Sequence, residues 1–195
     1  MQRRLLLAST SVYRRELLSR LQLPFETVAP GVEEDLRDGE TPPVRAARLA
    51  RAKAAAVAAC HADALVIGSD QVACVDEEVL DKPGSHDEAV RQLRRASGSI
   101  MSFYTAVAVH DAADGASSLR VVPCHVRFRP LDDGMIERYL AREQPYDCAG
   151  SAKVEGLGIT LLERIDCADP TAIIGLPLIA LTELLQLHGI VLPAA

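Results

Sequence analysis

Residues 64–75 read Ala-Leu-Val-Ile-Gly-Ser-Asp-Gln-Val-Ala-Cys-Val. Ala64–Gly68 is a continuous apolar run of strand length, the polar triplet Ser69-Asp70-Gln71 breaks it, and Val72–Val75 resumes it. Upstream, Arg4–Ala8 reads as a short buried strand followed by Ser9-Thr10-Ser11, all good helix N-caps. Tyr13–Leu21 then places Leu17, Leu18 and Leu21 on one helical face. Phe25–Ala29 is a second strand closed by Pro30-Gly31, Glu33–Thr41 an acidic exposed loop, and Pro43–Cys60 an Ala- and Arg-rich helix opening on Pro. Downstream, Lys82-Pro83-Gly84 is a turn and Asp87–Ala96 a helix with Ala89, Val90 and Leu93 inward. Ser102–His110 and Leu119–Arg129 flank the turn-rich Asp111–Ser118 as an antiparallel hairpin. Ile136–Arg142 reads as helix, Gly156–Leu162 as a short strand and Leu178–Leu187 as a closing helix. Early alternation of strand and helix followed by a hairpin predicts an α/β fold with a mixed twisted sheet and flanking helices. There is no internal repeat or low-complexity linker, so residues 1–195 are expected to form one domain.

The composition fits a globular chain: 49% hydrophobic and 25% charged residues, with a formal net charge of −6. That charge opposes nonspecific binding to nucleic acid or an anionic membrane, although a local basic cluster can still hold a small phosphorylated ligand. The cysteines, Cys60, Cys74, Cys124, Cys148 and Cys167, are odd in number and lack a C-x-x-C pair, which predicts free thiols in a reducing compartment. Leu5–Ala8 is too short for a signal-peptide core, so the expected location is cytoplasmic. The only lysines, among 21 basic residues, are Lys53, Lys82 and Lys153. In so Arg-rich a chain they mark positions where a compact point charge suits better than a planar fork.

Four constellations carry candidate chemistry. Ala8–Arg15 is a strand, a hydroxyl-rich turn and a helix start, where free N–H groups, Ser9, Ser11 and Arg14 can hold an anion. Asp70 follows an apolar strand, at the carboxyl end where α/β folds bind ligands, and can orient a water or hold a divalent cation. A structural turn or bulge accounts for the same residues equally well. Glu33 and Glu34 are either a metal ligand or a solvated loop. Ser151–Gly158 puts Lys153 and Glu155 on one side of an extended segment, with glycines permitting close approach. A P-loop, a dinucleotide-binding glycine motif and a hydrolase nucleophile elbow are all missing. His86 and His110 read as structural.

Taken together these blocks resemble the Maf family of nucleoside triphosphate pyrophosphatases nearly end to end. The matching stretches include L-L-L-A-S-T-S-x-Y-R-R-E-L-L at the start, L-A-R-A-K-A at 49–54, I-G-S-D-Q-V at 67–72 and D-K-P at 81–83. C-A-G-S-x-K-x-E-G-x-G-I-T-L-x-E-R and I-G-L-P-L complete the match. The resemblance implies two lobes around a central cleft and hydrolysis between the α- and β-phosphates, with a divalent cation (Mg²⁺, Mn²⁺ or Co²⁺). By position it implies Asp70 as proton acceptor, Lys53 and Lys82 as catalytic and phosphate-binding, and Ser9 and Arg14 as phosphate-binding. Glu34 and Asp70 match metal positions, and Tyr13, Gln71 and Glu155 match positions linked to base choice. The S-D-Q-V and K-x-E-G-x-G blocks resemble the branch acting on 7-methyl-GTP, a nucleotide house-cleaning activity. Another nucleotide such as UTP or dTTP, or a nucleotide-binding role in septum formation, are the alternatives. The partner implied is a small nucleotide, with no nucleic acid or membrane, and a homodimer is a family expectation. Two positions depart from the pattern: Tyr13 stands where Trp is expected, and Asp81 where Gly is expected.

Overall fold

The computed structural model describes residues 3–193. Among these, the element order is β1 (Arg4–Ala8), α1 (Val12–Ser19), β2 (Glu26–Val28), α2 (Pro42–Ala58), β3 (Ala64–Val75) and β4 (Glu78–Val79). There follow α3 (His86–Ala96), β5 (Ile100–Asp111), β6 (Ser117–Phe128), α4 (Asp133–Glu143), β7 (Leu162–Cys167) and α5 (Leu178–Leu187). The strands form one mixed sheet ordered β2-β1-β3-β5-β6-β7, with β4 folded back on β3. β1, β2 and β3 run parallel, whereas β5, β6 and β7 pair antiparallel, as the sequence pattern predicted.

Residues 64–75 form a single uninterrupted strand of 12 residues, about 40 Å long at 3.3 Å per residue. Ser69-Asp70-Gln71 is neither a turn nor a bulge: Asp70 pairs with Ala106 of β5 in unbroken register. The polar triplet is tolerated because β5 satisfies its backbone while each side chain finds its own partner. β3, β5 and β6 are each long enough to serve as the spine of two lobes. Around one half of the sheet, α1 and α5 pack on Leu7, Leu65, Ile67 and Val109, and α2 packs on the other face against Leu6, Val66 and Ala108. Around the other half, α3 and α4 close a core centred on Phe103, Phe128, Leu93 and Leu140.

α2 approaches the sheet through Ala46, Ala50, Ala54 and Ala58, an i, i+4 row of small side chains. Beneath that row lies Gly68, where a Cβ would collide with the carbonyl oxygen of Ala50 and lie 2.7 Å from the nitrogen of Ala54. Glycine is required here by the close approach of helix backbone to strand. The adjacent row, Arg45, Leu49, Lys53 and Val57, therefore sits low over the strand.

Two expectations are corrected. Residues 157–161 form a tight helical turn instead of a strand, and β7 starts only at Leu162. The N–H groups of Gly156 and Gly158 both donate to the Lys153 carbonyl, and Gly158 lies so close to the Lys153 backbone that a side chain would clash. Cys124 and Cys167 are joined in a disulfide, leaving Cys60, Cys74 and Cys148 as the free thiols among the described residues. They face each other across β6 and β7 with Cα atoms 4.4 Å apart, a strand pairing that no local spacing reveals. No helix among the described residues is long and apolar enough to cross a membrane.

Gly68→Ala tests the close packing of α2. Overpacking against helix backbone should cost about 1–3 kcal/mol. Thermal unfolding should then fall by roughly 2–4 °C for each kcal/mol. An unchanged melting temperature would show that α2 is free to lift from β3.

Candidate active site

The site opens where β1 stops and β3 does not. β1 pairs with β3 only as far as Ala8 opposite Gly68, and β4 joins β3 at Cys74. In between, Ser69–Val72 have a ladder partner on the β5 side alone. The chain leaving β1 turns through Ser9-Thr10-Ser11 into α1, so the helix N-terminus stands beside this open edge. The Ser11 side chain caps the helix by accepting from the Arg14 N–H at 3.4 Å, and Ser9 Oγ accepts from the Ser11 N–H at 3.1 Å. The result is a cleft of about 800 Å³ lined by both lobes. Ligand pockets typically measure about 300–1,000 Å³.

Alternation along β3 sorts its side chains. Asp70, like Gly68, faces α2, and Lys53 Nζ reaches Asp70 Oδ1 at 2.6 Å. The same ammonium pairs with Glu34 Oε1 at 2.6 Å, so two carboxylates remote in sequence converge on one buried lysine. Burial raises the proton affinity of Asp70 above the ordinary aspartate range, with Lys53 and Arg14 pulling against it. For Glu34, burial also pulls upward, but the bond to Lys53 and the charges of Lys53, Lys82 and Arg14 outweigh it and hold the carboxyl low. The environments thus push two neighbouring carboxyls apart, one toward base function and one toward a fixed anion. Arg14 reaches in from α1 and donates from Nε to the Gly175 carbonyl at 2.9 Å, leaving its terminal nitrogens for the cleft. Lys82 also lines the cleft, is exposed, and makes no ion pair among the described residues.

Ser69 and Gln71 face the other side of the sheet. Ser69 Oγ donates to the carbonyls of Ala106 and Gly175, and Gln71 Nε2 meets Thr105 Oγ1, Ala172 O and Ile173 O at 2.9–3.0 Å. Gln71 lines the cleft, but its amide nitrogen is spent fastening the 172–175 segment to the sheet. That segment is fixed from its other side by buried Asp169, which accepts from the N–H groups of Thr171, Ile179 and Ala180 and so caps α5. Tyr13, on the first turn of α1, lies near Cys148, Asp147 and Glu155, and Lys153 Nζ sits 5.7 Å from its ring centroid. Burial and the Asp147 charge push the Cys148 thiol up to about 12, so this cleft-lining cysteine remains protonated and is no nucleophile.

The nine residues marked by the family resemblance all line this one cleft: Ser9, Tyr13, Arg14, Glu34, Lys53, Asp70, Gln71, Lys82 and Glu155; Ser11 lines it too, whereas Glu33 and Lys153 do not. Three others act without having been singled out. Arg45 lies two helical turns before Lys53 on the same face, a position the helix period could have nominated. Its Nη1 donates to Asp81 at 3.1 Å and its Nη2 to the Glu34 carbonyl at 3.2 Å, tying the Glu34 loop to the Lys82 turn. Asp81, the departure from the family pattern, therefore has a partner, and its backbone is outside the left-handed region that would call for glycine. Gln92, nearly inaccessible on α3, donates to the Asp81 carbonyl at 2.9 Å and accepts from Ser151 Oγ at 2.7 Å. Glu143 on α4 pairs with Lys153 at 2.9 Å. Neither Gln92 nor Glu143 carries a local signal.

No group of three or more acidic, histidine or cysteine side chains suited to holding a metal occurs among the described residues. Asp70 and Glu34 are hard oxygen donors brought together by Lys53, and among the described residues no protein group donates to Asp70 Oδ2. Two such carboxylates fit a divalent cation whose remaining positions are filled by phosphate and water.

The sequence model of the family described as Maf-like protein matches residues 4–188. A protein of Thiobacillus denitrificans named 7-methyl-GTP pyrophosphatase is 55% identical over 186 residues, covering 95% of this chain and 92% of its own. The protein of the same name from Aromatoleum aromaticum is 54% identical over 190 residues, covering 97% and 98%. That from Cupriavidus metallidurans is 52% identical over 185 residues, covering 95% and 93%. With a family match spanning nearly its whole length and the strand-end carboxylate, paired lysine and helix N-terminus gathered in one cleft, this chain belongs to the Maf-like protein family.

Proposed function

We propose that this protein is a nucleoside triphosphate pyrophosphatase that acts on 7-methyl-GTP, releasing 7-methyl-GMP and pyrophosphate. The observation that carries the chemistry is the convergence of Lys53, Asp70 and Glu34 beside the N-terminus of α1. Support for the base comes from the names of the relatives and from an aromatic ring and a carboxylate, Tyr13 and Glu155, lining the same cleft.

The triphosphate enters against Ser9, the α1 N–H groups and Arg14, where charge-assisted hydrogen bonds hold it. Lys53 and Lys82 neutralise charge that develops on the phosphoryl oxygens and the leaving pyrophosphate. Asp70, whose proton affinity burial has raised, accepts the proton of the attacking water. A divalent cation held by Asp70 and Glu34 would add electrostatic stabilisation of the phosphates. The base lies toward Tyr13 and Glu155, where a 7-methylated guanine, being cationic, gains from both ring and carboxylate. A cytoplasmic setting, where nucleoside triphosphates are made and consumed, and the homodimer of the family belong to the same proposal.

Asp70→Asn should reduce pyrophosphate release by about 10²–10⁴-fold, the usual contribution of a positioned general base, in a chain that still folds because Glu34 remains as the partner of Lys53. Turnover near that of the parent would remove Asp70 from the mechanism. Only the ionised carboxylate can accept a proton, so kcat/KM should be lost as pH falls through the raised Asp70 value. Lys53→Met, which removes a charge that lowers that value, should move this acid limb to still higher pH. A limb that stays in place would assign the base elsewhere. In competition, kcat/KM for 7-methyl-GTP should exceed that for GTP and UTP by about 2- to 30-fold, the span of one cation–π contact. Equal efficiencies would refute the base assignment and leave the phosphate chemistry standing.

A further inference from the structure

The wall that carries Glu155 is pinned from behind. Ser151–Gly158 is held by side chains of α3 and α4 that lie outside the cleft. Ser151 Oγ donates to Gln92 Oε1, and Tyr139 Oη donates to the Ser151 carbonyl at 3.2 Å while accepting the Lys153 N–H at 3.0 Å. One helical turn on, Glu143 accepts the Leu157 N–H at 2.7 Å and pairs with Lys153 Nζ at 2.9 Å. Gly156 lies flat against that carboxylate, where a Cβ would come within 2.6 Å of Oε2.

The Lys153 ammonium has a second neighbour. It stands 5.7 Å from the centre of the Tyr13 ring, so one face of that ring already has a cation from the chain itself. Three carboxylates, Glu143, Asp147 and Glu155, share this corner with Lys153. The corner is net acidic and attracts cations, and Lys153 is the charge that opposes a second one.

We propose that Lys153 is a specificity-determining residue: it is a resident cation at the Tyr13 face, held by Glu143, and a positively charged base must compete with it. A neutral purine stacks on Tyr13 beside the ammonium at no Coulombic cost, whereas a 7-methylated guanine is repelled by it and draws only on the carboxylates for compensation. Lys153 thereby trims the preference for a cationic base and keeps neutral purines as competitors. This rests on the reading that the base seats between Tyr13 and Glu155.

The test compares the parent with Lys153→Met, Lys153→Arg and Tyr13→Leu. Two quantities are read: the ratio of kcat/KM for 7-methyl-GTP to that for GTP, and the ratio of affinities for 7-methylguanosine and guanosine by calorimetry without added metal. The nucleosides carry no phosphate and report the base pocket alone. Lys153→Met should raise both ratios by roughly threefold or more, the size of one cation–π contact, and Lys153→Arg should leave them near the parent values. In a Tyr13→Leu background the rise should shrink, because the contested ring is gone. A merely structural role for Lys153 would lower both substrates' turnover together and leave the ratios flat, which would overturn the proposal. If the parent prefers the methylated base and Lys153→Met does not exceed it, this inference alone fails. If parent and variant are equally indifferent to methylation, the seating of the base fails, and this inference with it.

Discussion

The position of one buried ammonium organises this molecule. Lys53 Nζ lies 2.6 Å from both Asp70 and Glu34, with its side chain only 6% exposed. A lysine so enclosed would shed its proton or unfold its surroundings unless paired, and a lone Asp70 at the same depth would do the reverse. Each charge makes the other tolerable, and the pairing demands that α2 lie close upon β3. The alanine row and Gly68 exist to allow that approach. Two carboxylates on one ammonium leave the cluster net negative before Arg14 and Lys82 are counted.

The cleft itself follows from unequal strand lengths. β1 has five residues and β3 has 12, so β3 runs on past the end of its parallel neighbour and presents an open edge. Chain leaving β1 must turn there, and the turn becomes the capped N-terminus of α1. The anion-binding end of a helix is thus delivered to the strand carrying the acid, which is the usual logic of ligand sites in open α/β sheets. Side chains on alternate sides of β3 divide the labour: Asp70 lines the cleft and pairs with Lys53, while Ser69 and Gln71 bolt the 172–175 segment to the sheet.

The two ends of the cleft are mechanically joined by Gln92, which does not line it, and by Arg45, which does. Gln92 holds the carbonyl of Asp81, next to Lys82, and the hydroxyl of Ser151, at the root of the strap bearing Glu155. Arg45 performs the same service between the Glu34 loop and the Lys82 turn. A buried amide with both its donor and acceptor engaged is costly to disturb, because removing it leaves two polar partners without compensation. Phosphate and base recognition therefore share a support.

The sequence by itself determined the mixed α/β architecture, since hydrophobic runs, N-caps and turn residues are local signals whose physics acts within a few residues. It also marked the site: Ser9, Arg14, Lys53, Asp70 and Lys82 stand out by type and local setting, and two of the three lysines fall among them. Tertiary structure alone decided what those residues meet. Whether Ser69-Asp70-Gln71 breaks the strand depends on the ladder with β5, and the helical turn at 157–161 is held by Glu143 of α4, which accepts the Leu157 N–H. The Cys124–Cys167 bond joins positions 43 residues apart. Arg45, Gln92 and Glu143 work entirely through partners remote in the chain. Periodicity records which face a residue takes, whereas pairing, burial and charge coupling are properties of segments brought together only once the sheet has closed.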